Sequence, residues 1–247
     1  LDGIRGGAYE RPLEQLERAR ALQRRCGDAC GEALTESYLG ALHCTHGRFE
    51  EGRQAYERSR DLARTLGDRR TVGLAEGMIA GVLVLTGQLD EATAHFEVAL
   101  ATQRAIGDRV HEAMHAANYA WHLERLGELD EAIRWLERAI AIATDIGDAM
   151  TQGISLGTLG GVLMRAGRPE RGLRKLTEGE ALLRRAGDPA ELAKLLCTAG
   201  RAHLQLGDEA AARRALAEAA AIAEPLGLTD DAELSVALRQ LRAGVEG

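Results

Sequence analysis

Residues 110–122 read VHEAMHAANYAWH and contain the pattern His-Glu-x-x-His at His111, Glu112 and His115. On a helix, residues four apart share a face. Two imidazoles so placed can hold one zinc ion while the carboxylate beside them takes a proton from zinc-bound water. That would be hydrolase chemistry. His122 extends the stripe, since positions i, i+4 and i+11 fall within about 40° at 3.6 residues per turn. A hydrolase, however, needs a third ligand beyond the motif and an open coordination position in a cleft. No aligned neighbour supplies that ligand, so zinc hydrolysis at 111–115 is the remote alternative. The favoured reading is three histidines at a helix–helix boundary, with no metal, no cofactor and no catalytic residue. It expects Glu112→Gln to be silent. Other candidates are weaker. Cys26 and Cys30 straddle a turn without a second cysteine pair, and His43, Cys44 and His46 are spread around one helix end.

The elements that position these residues follow from a repeat. Gly-Asp recurs at Gly27, Gly67, Gly107, Gly147 and Gly187, always in steps of 40, and Gly227 continues the series. A second series runs Gly7, Gly47, Gly87, Gly127, Gly167 and Gly207 with the same step. Between the glycines the pattern is helical: Leu129, Ala132, Ile133, Leu136, Ala139, Ile140 and Ala143 recur at three- and four-residue spacing. Glycine after each apolar run is a C-terminal cap, and the following Asp is an N-cap for the next helix. At Asp188–Glu191 cap, proline and glutamate combine into a full helix start. Each unit is therefore helix A, tight turn, helix B, tight turn. The spacing predicts a lone helix B at 9–26, repeats at 28–67, 68–107, 108–147, 148–187 and 188–227, and a polar capping helix at 229–243, about 12 helices in a single solenoid.

Within each unit the small residues keep register. One helix-A site holds Gly40, Ala80, Ala120, Gly160 and Gly200, and two helix-B sites hold Gly52, Ala92, Ala132, Gly172, Ala212 and Ser59, Ala99, Ala139, Gly179, Ala219. A large site between the latter two holds Tyr56, Phe96, Leu136, Leu176 and Leu216. Helices approach closely only where side chains are small. In these positions the units resemble the tetratricopeptide repeat, in a 40-residue form. The LGD corners and G-x-LDEA turns also look like the helical-repeat sensors of bacterial STAND-type regulators. The resemblance implies an all-α fold, a right-handed α-solenoid of stacked antiparallel helix pairs, with helix A lining a concave groove.

By that resemblance the groove-facing residues are Leu74, Gly77, Met78, Gly81 and Val84 in the second repeat. The third repeat gives Met114, Ala117, Asn118, Trp121, Glu124 and Arg125. The fourth gives Ile154, Gly157, Thr158, Gly161, Met164 and Arg165, and the fifth Lys194, Cys197, Thr198 and Arg201. Some relatives clamp a peptide's terminal carboxylate with Lys and Asn; here Gly77 and Gly81, or Ala117 and Trp121, stand in those places. Gly73, Gly77, Gly81 and Gly153, Gly157, Gly161 form two stripes of bare backbone. Three glycines per helix cost roughly 1.5–3 kcal/mol relative to alanine, so some close approach should explain them. Either the stripes and Trp121 form a ligand pocket with Met78, Asn118 and Met164 at its rim, or they let neighbouring helices pack.

Composition bounds the function. Charged residues are 28%, hydrophobic residues 45% and aromatics 3%, which suits an ordered chain whose core rests on Leu, Ala, Ile and Val. A net charge of −7 with interspersed signs argues against direct nucleic-acid binding. No apolar run approaches a membrane span, and sparse cysteines point to a reducing cytoplasm. The expectation is a non-enzymatic module for a peptide or protein segment, serving signal transduction or transcription regulation in a larger bacterial protein. A small apolar ligand in the same groove is the alternative. The N-terminal helix, with Leu13, Leu16 and Leu22 on one stripe, is expected to self-associate.

Overall fold

A computed structural model describes residues 2–226 and 233–246, with side chains from Tyr9 onward. Its regular structure is helical throughout: α1 (Asp2–Cys26), α2 (Ala29–Thr45), α3 (Phe49–Leu66), α4 (Arg69–Leu85), α5 (Leu89–Ile106), α6 (Arg109–Leu126), α7 (Leu129–Ile146), α8 (Ala149–Arg165), α9 (Pro169–Ala186), α10 (Pro189–Gln205), α11 (Glu209–Ala223) and α12 (Glu233–Glu246). Even-numbered helices are the A helices and odd-numbered ones the B helices. The expected all-α repeat of about 12 helices is thus present among the described residues. The N-terminal end differs from expectation. Helix α1 starts at Asp2 and runs through Gly7 and Pro12, so Gly7 caps nothing. The last helix is described from Glu233 onward, and the expected start at 229 and the cap at Gly227 lie outside the described residues.

The turns follow from local chemistry. Ten glycines, from Gly27 to Gly207 in the two series, have φ between 70° and 84°. A side chain there would crowd the carbonyl, which is why glycine ends each helix. The Asp that follows every Gly of the first series accepts from the backbone N–H three residues on, at 2.8 Å for Asp28–Gly31 and 3.0 Å for Asp148–Thr151. Such a cap contributes about 1 kcal/mol.

The chain forms two compact units, Leu1–His115 and Ala116–Gly247, divided within α6. In the first, α2 packs on α3 and α4 on α5. A β-carbon on Gly40 would lie 2.6 Å from the Tyr56 ring, so the small site exists to seat the large one. Phe96, Ala80, Ala92 and Ala99 are all fully buried. In the second unit, α8 packs on α9 and α10 on α11, and α10 also meets α8 and α12. Gly160 gives way to Leu176 and Gly200 to Leu241, with hypothetical β-carbon contacts of 2.5 and 2.6 Å. Leu136 and Leu176 fill the large site with no exposed surface. In the second unit the A helices α8, α10 and α12 thus pack side by side.

Candidate ligand-binding cavity

The histidine motif does not converge. Asp108, the N-cap of α6, accepts from the backbone N–H of His111 and lies 2.8 Å from its Nδ1. His115 is completely buried. It sits over Gly77, where a β-carbon would lie 2.0 Å from Cε1 of the ring. Neither ring nitrogen of His115 has a hydrogen-bond partner among the described residues. Burial, and secondarily the neighbouring His111, lowers its pKa to about 4, so the ring is neutral at pH 7. Glu112 has no exposed surface and accepts from Arg104 Nε at 3.3 Å and Arg109 Nη1 at 2.9 Å. A carboxylate so paired is not poised to take a proton from water. Among the described residues no three His, Cys, Asp or Glu side chains gather as a metal site.

Glu112 is one of three buried glutamates among the described residues of the first unit. Glu36 meets Arg58 at 3.0 Å, Arg20 at 3.3 Å and Arg24 at 3.4 Å. Glu76 meets Arg64 at 2.7 Å and the His95 ring at 2.5 Å. The signal was present in sequence: Arg24, Arg64 and Arg104 recur at the 40-residue step, as do Glu36 and Glu76. A charged residue within a helix usually faces solvent, so the recurrence alone does not reveal their burial.

The glycine stripes divide. Gly73, Gly77, Gly153 and Gly160 are packing sites, each with a hypothetical β-carbon under 3.0 Å from a neighbouring side chain. Gly77 beneath His115 and Gly157 beneath Leu195 are the same pair two repeats apart, so glycine admits a large residue from the next A helix. The Gly157 contact is looser, at 3.1 Å. Gly161 has only an ordinary contact with Thr198 at 3.5 Å, and Gly81 faces open space.

A cavity of about 660 Å³ opens in the second unit. Its walls include Trp121, Glu124 and Arg125 from α6, Gly157, Thr158, Gly161 and Arg165 from α8, and Arg201 from α10, all expected from sequence. Ile154, Lys194 and Thr198 also line it as expected. Leu183, Leu195, Glu191 and Glu233 complete it and were not foreseen. Leu195 shares the repeat position of His115, and Glu191 is the glutamate of the helix-start signal at Asp188–Glu191. Other expected residues lie elsewhere. Gly77, Met78, Gly81 and Met114 belong to the first unit. Asn118 is exposed and does not line the cavity. Val84, Met164 and Cys197 are core residues, with Met164 Cγ 3.1 Å from where a Gly172 β-carbon would be. The position of Met164 on α8 therefore faces its own B helix and not the open side.

The charges in the cavity are unevenly matched. Arg165 pairs with Glu124 and so ties α8 to α6. Lys194 lies 2.8 Å from both Glu191 and Glu233. Desolvation works against its charge, yet the two carboxylates outweigh it and raise its pKa. Arg125 lies over the Trp121 ring at 5.6 Å. Arg201 donates to Thr198 Oγ1 at 3.3 Å and Gln240 Oε1 at 3.2 Å, with no carboxylate partner among the described residues.

Two family models, both described as tetratricopeptide repeat, match residues 71–145 and 193–225. No curated protein matches by sequence. Among solved structures, BtubC (BKLC) from P. vanneervenii is 19% identical, with a TM-score of 0.76 over 92% of this chain and 95% of that one. A signal transduction ATPase with numerous domains (STAND) from Pyrococcus horikoshii, which has a tetratricopeptide repeat sensor, is 15% identical. It has a TM-score of 0.70 over 98% of this chain and 35% of that one. The quorum sensor NprR from B. thuringiensis is 15% identical, with a TM-score of 0.69 over 94% of this chain and 65% of that one. NprR has also been solved with its cognate peptide NprX. The register of small and large residues, the paired helices and these matches agree: the chain is a tetratricopeptide-type helical repeat, similar in fold to the repeat-bearing STAND protein.

Proposed function

We propose that the chain is a binding module and not an enzyme, and that it takes a peptide or protein segment in the cavity of its second unit. The observation that carries the reading is the cavity itself. Its 660 Å³ lie within the range of ligand pockets, and it surrounds a small apolar floor with mostly charged and polar side chains. Ile154, Leu183 and Leu195 supply the floor, Trp121 a flat aromatic wall, and the Arg and Glu side chains the directional contacts. The fold-level likeness to NprR, solved with a peptide, supports this class of ligand by analogy. We place the module in the cytoplasm, as the sensor or scaffold region of a larger bacterial regulator. No described helix is long and apolar enough to cross a membrane. The apolar floor also suits a small apolar ligand, which is the second reading.

Selection of a random peptide library on the purified protein tests the first reading, with Gly161→Trp as the counter-target. Gly161 borders the cavity with only one ordinary contact, so a bulky residue there should fill the space without disturbing the core. Peptides should enrich on the wild type and be lost on the variant at unchanged melting temperature. Enriched peptides that bind both proteins equally would place binding elsewhere.

A further inference from the structure

Successive A helices of the second unit are tied at the cavity by polar contacts, with one exception. Glu124 and Arg165 link α6 to α8. Lys194–Glu233 and Arg201–Gln240 link α10 to α12. Between α8 and α10 the described residues show no ion pair. That seam is closed by Gly157 against Leu195 and Gly161 against Thr198. Above it stand two guanidinium groups, Arg165 on α8 and Arg201 on α10, lining the same cavity. Partial desolvation, and then the Arg201 charge, lower the pKa of Arg165, so the two cations oppose each other across the seam. Counting Arg125, this end of the cavity holds three arginines and one carboxylate, Glu124. The other end holds two carboxylates around Lys194.

We propose that the ligand presents a carboxylate to Arg165 and Arg201, which completes the missing link between α8 and α10, and that its chain then runs toward Lys194. The inference rests on the peptide-binding reading and adds the chemistry and direction of the peptide. Guanidinium groups suit this task because their planar N–H donors match a carboxylate in pairs. Like charges held near each other are relieved by an anion between them. Arg201 and Lys194 are seven residues apart on one helix, about 10 Å at 1.5 Å per residue. Three residues of extended peptide cover that span at roughly 3.3–3.6 Å each. The end near Glu191 and Glu233 carries net negative charge and so disfavours a second acid. The segment therefore binds in one direction, with its acid at the Arg201 end and apolar side chains over Trp121 and Ile154.

A synthetic hexapeptide library, prepared once with free C-termini and once as C-terminal amides, tests this by fluorescence-polarisation competition against wild type and Arg201→Gln. Pools with a free carboxylate or Asp/Glu near the C-terminus should bind wild type best. Arg201→Gln should weaken those pools by about tenfold or more, the usual effect of losing a hydrogen bond to a charged group, and leave neutral pools unchanged. Arg201→Lys should restore part of the preference, because the charge remains. Preference for the free acid over both amide and internal acid identifies a chain terminus, and preference for internal Asp or Glu identifies a side chain. Binding that ignores acidity, or acid preference that survives Arg201→Gln in a folded protein, overturns the proposal and leaves the peptide reading standing. Absence of binding in every pool overturns the peptide reading itself.

Discussion

His115 should make this protein acid-sensitive in a way that one substitution removes. Its imidazole is fully buried above Gly77, and neither ring nitrogen has a hydrogen-bond partner among the described residues. Burial first, and the nearby His111 second, depress its pKa to about 4, against a weaker upward pull from Asp108. In the unfolded chain the same group titrates near 6.5. The folded-state value is the lower one, so the unfolded state binds the proton more readily between about pH 6.5 and pH 4. The stability linked to the neutral ring is fully present above pH 6.5 and is lost as pH falls through 4. The total is about 3 kcal/mol at 1.36 kcal/mol per pKa unit, of which roughly 2 kcal/mol is gone by pH 5. Other groups titrate in that window, so the comparison must be differential. His115→Leu is the right partner because Leu195 occupies the equivalent position over Gly157. Urea denaturation of both proteins at pH 7 and pH 5, followed by circular dichroism, should show the wild type losing roughly 2 kcal/mol more than the variant. The variant should be at least as stable at pH 7, since an apolar side chain replaces an unsatisfied polar one. Equal losses in the two proteins would mean that His115 is paired or hydrated, and the reasoning from burial would fail.

The glycines give a paired test: Gly77→Ala, forced against the His115 ring at 2.0 Å, should lower stability by about 1–3 kcal/mol, whereas Gly81→Ala, facing open space, should raise it by up to ~1 kcal/mol in the same melting assay. The isolated sequence pattern implies that Glu112→Gln is silent, but the buried pairing with Arg104 and Arg109 implies a loss of about 1–2 kcal/mol on thermal melting. Leu22 on α1 is 60% exposed, and Leu34 and Tyr38 on α2 are 54% and 56% exposed. Sedimentation at rising concentration should therefore show self-association that Leu22→Glu abolishes, and a monomer at all concentrations would refute that surface as an interface.

What the sequence determined by itself has a local or periodic cause, with Gly7, among the described residues, the one member of the series that lies inside a helix. Glycine is required where φ exceeds zero, and Asp satisfies the N–H groups of the helix that follows, so the turns could be placed residue by residue from chemistry within five positions. The forty-residue step then aligned small sites with large ones, because each repeat meets the next through the same surface. Most of the cavity wall was legible for the same reason: Trp121, Gly157, Thr158, Gly161, Arg165 and Arg201 share the open face of successive A helices. A wheel position gives an angle, however, not the depth at which a neighbouring helix lies. Met164 and Cys197 fall near the open face by angle, yet both are buried, Met164 because its own B helix passes it at Gly172. The same blindness hid Gly77 beneath His115, two residues 38 positions apart that only packed helices bring together. It also hid the carboxylates of Glu36, Glu76 and Glu112, whose arginine partners make burial tolerable. Arg109–Glu112 is a local pair one turn apart, but only tertiary structure decided the pairings of Glu36 with Arg58 and Glu76 with Arg64, because a charge remains on the surface until a specific opposite charge is held within reach of it.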